Sequence, residues 1–198
     1  QRQMCIRDRV AERELAREPG STVIHNLITS KAVPEIIREN GGEPVRTRVG
    51  HSFIKAKMAE TNAVFGGEHS AHYYFRDFWR ADSGMLAAMH VLAALGQQDK
   101  PLSEMMAKYN RYAASGEINS RLDSAEAQAD RTEAVVKAFA DRAENVDRLD
   151  GVTVELKDGN WFNVRASNTE PLLRLNVEAD TQEAVDALVK EILAIIRA

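Results

Sequence analysis

Apolar and polar positions change rhythm near the middle of the chain. In the first half, short β-branched runs alternate with helical stripes. "AERELAREPG" (11–20) reads as the end of a helix stopped by Pro19-Gly20. "TVIHNLIT" (22–29) is β-branched with few charges, the pattern of a buried strand. "VPEIIRENGG" (33–42) predicts a short helix, with Pro34 in its first turn and Gly41-Gly42 at its exit. "PVRTRV" (44–49) sets Val45, Thr47 and Val49 against Arg46 and Arg48, as in a half-buried strand. "SFIKAKMAET" (52–61) returns to a helix, with Phe53, Ile54 and Met58 on one face. "AVFGG" (63–67) is a short strand, and "DSGMLAAMHVLAALG" (82–96) is an apolar helix that Ser83 caps and Gly96 ends. This order predicts a three-layer α/β domain with a mainly parallel sheet. Ser30, then Gly50 and His51, then residues 68–72 each follow a strand. They are therefore expected at the carboxyl edge, where open α/β sheets bind ligands.

The second half has a different order. "PLSEMMAKYNRYAASGE" (101–117) predicts a crossing helix and a connector, and "GEINSRLD" (116–123) a strand. "DSAEAQADRTEAVVKAFADRA" (123–143) is a helix with Asp123 and Glu126 in capping-box spacing and Val135, Val136, Phe139 and Ala143 as its stripe. "GVTVEL" (151–156) and "WFNVRA" (161–166) flank Asp158-Gly159, a hairpin turn. "LLRLNVEA" (172–179) puts Leu173, Leu175 and Val177 on one face. "DTQEAVDALVKEILAIIRA" (180–198) closes as a helix, with Asp180 and Glu183 at its start and Val185, Leu188, Val189, Ile192 and Ile196 facing a core. The order β-α-β-β-β-α predicts an α+β domain, an antiparallel sheet backed by two helices. The expected division is residues 10–108 and 109–198, with residues 1–9 unassigned.

Composition narrows the class. Apolar residues at 44% and charged ones at 28% are globular proportions, so a packed core is expected. A net charge of −4 argues against a nucleic-acid partner, while leaving room for a local basic pocket. Nothing approaches the run of ~20 apolar residues that spans a membrane. Cys5 is the single cysteine, so no disulfide forms within the chain, which fits a reducing cytoplasm. "QRQMCIRDRV" is polar and basic and lacks a targeting pattern. It reads as a truncated or non-native end, and residues 1–9 are set aside from the fold.

Two stretches carry candidate chemistry. In "GEHSAH" (67–72), Glu68, Ser70 and His72 are two apart and share a face if the segment is extended. Glu accepts hydrogen bonds from vicinal hydroxyls, and Ser and His both donate and accept, so the spacing suits a sugar. Other arrangements stay open. Ser70, His72 and Glu68 have the residue types of a triad without a GxSxG elbow. His51, His69 and His72 have those of a zinc site without HExxH spacing. A plain polar loop beside the aromatic run 73–75 is the bland alternative. Upstream, Arg48 is the cation nearest the carboxyl end of its strand. "RASNTEP" (165–171) offers a guanidinium, two hydroxyls, an amide and successive N–H groups between strands. Such a turn suits a phosphate or carboxylate, though the same residues also make an ordinary turn.

"RTRVGHSFIKAKMAETNAVFGGEHSAHYYF" (46–75), "DFWRADSGMLAA" (77–88) and "VRASNTEPLLRLNVEA" (164–179), in this order, closely resemble the α-D-phosphohexomutases, in particular the bacterial phosphomannomutase/phosphoglucomutase branch. The resemblance covers most of residues 11–198 and implies the C-terminal half, domains III and IV, of a four-domain enzyme built around one cleft. It implies a TATA-box-binding-protein-like fold for the second half. It carries sugar recognition onto Glu68, Ser70, His72, His51 and Arg48, and phosphate binding onto Arg165, Ser167, Asn168 and Thr169. The implied reaction is an isomerisation that moves phosphate between the 6- and 1-oxygens of mannose or glucose phosphate through a hexose 1,6-bisphosphate. The family's phosphoserine loop and its DGDGDR-like Mg²⁺ loop do not occur in this sequence. The resemblance thus implies a partial enzyme, inactive alone, whose partners are the missing N-terminal domains, in a cytoplasmic setting. The alternative is a non-catalytic sugar-phosphate-binding module.

Overall fold

The β-branched run after Pro19-Gly20 is a strand, β1 (Thr22–Asn26), buried from Val23 onward. With β2 (Glu43–Thr47), β3 (Phe65–Gly67), β4 (Tyr73–Phe75) and β5 (Ala81–Asp82) it makes a five-stranded sheet ordered β2-β1-β3-β4-β5. This is a computed structural model; it describes residues 2–167 and 170–198. The chain divides into two compact units, Gln1–Arg111 and Tyr112–Ala198. In the first, β1 pairs in parallel with β2 and with β3, whereas β3–β4 and β4–β5 are antiparallel. A parallel core is thus extended by two short strands that the sequence pattern did not separate. Two or three residues display no period, and the buried aromatic run 73–75 is β4.

Adjacent residues of β1 feed opposite faces, as strand geometry requires. Val23 packs with Val10, Ala11 and Leu15 of α1 (Arg2–Arg17), Val33 and Ile37 of α2 (Ala32–Glu39) and Ala87 of α4 (Gly84–Leu95). Ile24 packs with Ile54 and Met58 of α3 (His51–Thr61) and with Tyr74. Helices on both faces give the three layers. Gly66 lets α3 close on the sheet, because a Cβ there would lie 2.9 Å from Ile54 Cγ2. Ser83 accepts from the Leu86 N–H at 3.2 Å and caps α4 as expected. A further short helix, α5 (Leu102–Ala107), packs Met105 against Val91 and Ala94. Residues 2–9, set aside from the fold on sequence, are helical. The helix ending before Pro19 begins at Arg2, and Arg7 and Asp8 are buried, with Arg7 donating to Thr29 Oγ1 at 3.2 Å.

The second unit is an antiparallel sheet with helices α6 (Ala125–Phe139) and α7 (Gln182–Ile196). Its strands are β6 (Ala113–Ala114), β7 (Ile118–Arg121), β8 (Ala143–Asp147), β9 (Val152–Leu156), β10 (Trp161–Ala166) and β11 (Leu172–Ala179). The order is β6-β11-β10-β9-β8, and β7 also pairs with β11. Leu173, Leu175 and Val177 join Phe162, Val164, Val135, Phe139, Val185, Leu188 and Ile192 in one core. The α+β unit backed by two helices is therefore present. Two local expectations change. The caps lie one residue further on, where Ser124 accepts from Ala127 N–H and Thr181 from Ala184 N–H. Ala143, expected on the α6 stripe, begins β8 after the helix ends at Phe139. No helix among the described residues is long and apolar enough to cross a membrane.

Candidate functional site

Because β1, β2 and β3 are parallel, their carboxyl ends lie on one edge of the first sheet, and the three polar clusters sit there. Ser30 follows β1, is buried, and accepts from the Ala32 N–H at 3.2 Å. It turns the chain into α2. After β2, Arg48 is exposed and lies over the Phe53 ring, 4.8 Å from its centroid. His51 opens α3, also exposed. Lys55 is exposed one turn along the same helix face, and among the described residues it has no carboxylate partner. Its i, i+4 spacing from His51 was the sequence signal that could have added it to the cluster.

After β3 the chain does not stay extended. Glu68 N–H donates to His72 O at 3.0 Å and Ala71 N–H to Glu68 O at 3.2 Å, with Ala71 at φ 65°. Residues 68–72 thus form the tight turn of the β3–β4 hairpin. The shared face expected from two-residue spacing is lost at this turn. Glu68 is 5% exposed, whereas Ser70 and His72 are exposed. Glu68 Oε1 accepts from Tyr74 Oη–H at 2.6 Å, and Oε2 accepts from Gly50 N–H at 3.1 Å. Glu68 therefore joins the hairpin turn to the turn that starts α3. Ser70 Oγ and His72 Nδ1 are 2.9 Å apart, and the carboxylate facing His72 Nε2 is Asp82, at 4.0 Å. Glu68 is engaged elsewhere, so Ser70, His72 and Glu68 are not aligned as a triad. Among the described residues no group of three or more His, Cys, Asp or Glu could hold a metal ion, so the zinc arrangement gains no support.

Beneath this edge lies His25, 6% exposed at the end of β1. Burial pushes its pKa down to about 3, against a smaller opposing effect of its contact with Asn26 O. It is a neutral core imidazole.

In the second unit, Arg165 lies near the end of β10, only 8% exposed. Among the described residues its side chain has neither a hydrogen-bond partner nor a carboxylate, and its Nε is buried without a partner. Gly151 makes room beside it. At φ 68°, a Cβ there would lie 2.4 Å from Val164 O and 2.8 Å from Arg165 Cα. Ser167 N–H donates to Leu172 O at 2.8 Å, which closes the strand-to-strand turn. Ser167 Oγ accepts from Arg174 Nη2 at 3.3 Å. Arg174 pairs directly across from Arg165 in the β10–β11 register. It also lies 3.4 Å from Glu117 and 3.8 Å from exposed Glu170. Sequence reasoning did not single out Arg174, although alternation against Leu173 and Leu175 places it on the Arg165 face. Asn168 and Thr169 lie outside the described residues.

Comparison with known proteins covers both units. Residues 4–112 match the family model for phosphoglucomutase/phosphomannomutase, alpha/beta/alpha domain III, and residues 117–195 that for the C-terminal domain. The chain is 42% identical over 171 residues to a Xanthomonas campestris protein named for phosphohexose mutases; the match covers 85% of this chain and 37% of that protein. It is 40% identical over 187 residues to the Methanocaldococcus jannaschii phosphomannomutase, covering 94% of this chain and 40% of the relative. A crystal structure of a phosphoglucomutase/phosphomannomutase family protein from Burkholderia thailandensis superposes with a TM-score of 0.81 at 29% identity, over 98% of this chain and 42% of that one. The chain spans about two fifths of the length of these relatives.

Proposed function

This chain belongs to the phosphoglucomutase/phosphomannomutase family, and on that premise we propose that it supplies the sugar- and phosphate-binding domains of a phosphohexomutase. The reaction served is phosphoryl transfer between the 6- and 1-oxygens of a hexose phosphate, mannose or glucose, by way of a hexose 1,6-bisphosphate. Glu68, Ser70 and His72 bind sugar hydroxyls, with Arg48 and His51 as neighbouring polar contacts. Arg165 and Ser167 bind a phosphate, and the role proposed for Asn168 and Thr169 is the same. Phosphoryl transfer depends chiefly on positioning and charge neutralisation, so holding the sugar phosphate is a large part of the work. The family's magnesium is assigned to no residue here, since among the described residues no acidic or imidazole cluster fits it. The chain alone binds and does not turn over. A cytoplasmic setting is part of the proposal and rests on the single cysteine.

The observation that carries this reading is Arg165. A guanidinium cannot lose its charge, and burying it without a counter-charge is costly. An incoming phosphate supplies that counter-charge through two parallel hydrogen bonds. Calorimetric titration of the chain with mannose 6-phosphate tests it. Arg165→Ala is expected to weaken binding by ~1.5–3 kcal/mol, roughly 10- to 150-fold. Unchanged affinity removes Arg165 from the phosphate role.

A further inference from the structure

Tyr74 joins the site through Glu68, on the reading that Glu68 binds sugar hydroxyls. Its ring is 1% exposed and packs with Ile24, Ile54, Met58 and Ala63. The β3–β4 register sets Tyr74 opposite Gly66, where α3 approaches the sheet closely. A ring held in this way fixes its hydroxyl in space. That hydroxyl donates to Glu68 Oε1 at 2.6 Å, and burial, followed by the bond to Glu68, raises its pKa. It stays a donor throughout the working pH range. On the other side, Glu68 Oε2 accepts from Gly50 N–H at 3.1 Å. Gly50 is the N-cap of α3 and brings no side chain to cap it. A carboxylate there satisfies a free amide and meets the positive end of the helix.

We propose that Tyr74 is a positioning residue that acts through Glu68, tying the β3–β4 turn to the start of α3 so that Ser70 and His72 on one loop and His51 on the other form one rigid ligand surface. A carboxylate accepts about four hydrogen bonds. Two are taken by Tyr74 and Gly50, and the rest are left for ligand hydroxyls. The terminal torsion of Glu is broad, so without the phenol the carboxylate turns about its remaining bond to Gly50. The loss then falls on the orientation of Glu68 and on the register between the two loops.

Two measurements on the chain and its Tyr74→Phe variant test this. In amide hydrogen exchange followed by NMR, Gly50 is expected to exchange roughly 3–10-fold faster in the variant, while Ile24 in β1 keeps its rate. An unchanged Gly50 rate overturns the proposal. Equal acceleration at Gly50 and Ile24 also overturns it, because that marks a generally loosened core. In titrations with mannose 6-phosphate, Tyr74→Phe is expected to weaken binding roughly 3–10-fold, but less than about 2-fold when Glu68→Gln is already present. The same loss in both backgrounds overturns the coupling. If Gly50 responds but the unaltered chain does not bind mannose 6-phosphate, the sugar-phosphate reading fails and the tie between the loops stands.

Discussion

The two candidate loops handle buried charge in opposite ways. In the first unit, Glu68 has both oxygens hydrogen-bonded, and the nearby buried His25 has given up its charge. In the second, Arg165 is buried with no partner among the described residues, and its charge is permanent. The first loop thus carries a carboxylate whose bonds are already made, and the second a guanidinium with no partner among the described residues. On the proposed reading, the first loop is held in place for neutral hydroxyls and the second awaits an anion.

The largest effect expected is acid sensitivity of the first unit. His25 stays neutral in the native state down to about pH 3, whereas the unfolded chain takes up that proton near the ordinary histidine value. Stability is full above about pH 6.5 and falls as the pH drops toward 3, by up to ~1.4 kcal/mol per pH unit. Urea unfolding at several pH values should show that slope, and His25→Gln should flatten it. Next is Gly151→Ala, which combines a left-handed φ with a clash against the β10 backbone. It should cost the second unit ~2–3 kcal/mol, read from unfolding followed at Trp161. The two charge removals then contrast the loops directly. Glu68→Gln should destabilise the first unit by ~1–2 kcal/mol, because a charge-assisted acceptor is weakened. Arg165→Met should leave the second unit as stable, or more stable by up to ~1 kcal/mol, because a buried charge with no partner among the described residues is gone. Equal destabilisation by both would erase the distinction.

Much of this arrangement was legible in the sequence. The Asp158-Gly159 turn located β9 and β10, alternation located β11, Pro34 and Gly41-Gly42 bounded α2, and helical stripes located α3 and α7, although Phe53 of the α3 stripe is exposed. The gathering of three polar clusters at one sheet edge was legible too, since each followed a strand. What was not legible is local. β4, β5 and β6 are too short to carry a pattern. Ala143 continued a helical stripe although the chain had already left α6. The turn at Ala71 reversed the expected companionship of Glu68 with Ser70, because a left-handed residue inside a hairpin breaks the alternation on which that expectation stood. Tyr74 lies in an aromatic run and is core, yet its hydroxyl reaches Glu68. No spacing rule announces that, since it depends on a contact between β4 and Glu68, the residue after β3.

The claim that one unit carries a sugar-hydroxyl loop and the other a phosphate loop is tested most directly by NMR shift mapping of the chain against two ligands. Inorganic phosphate should move the amides of Arg165, Ala166 and Ser167 and leave those of Gly50, Ser70 and His72 in place. Mannose 6-phosphate should move both sets. If phosphate leaves the Arg165–Ser167 amides unmoved, or mannose 6-phosphate leaves the Gly50, Ser70 and His72 amides unmoved, the division of labour between the two loops is contradicted.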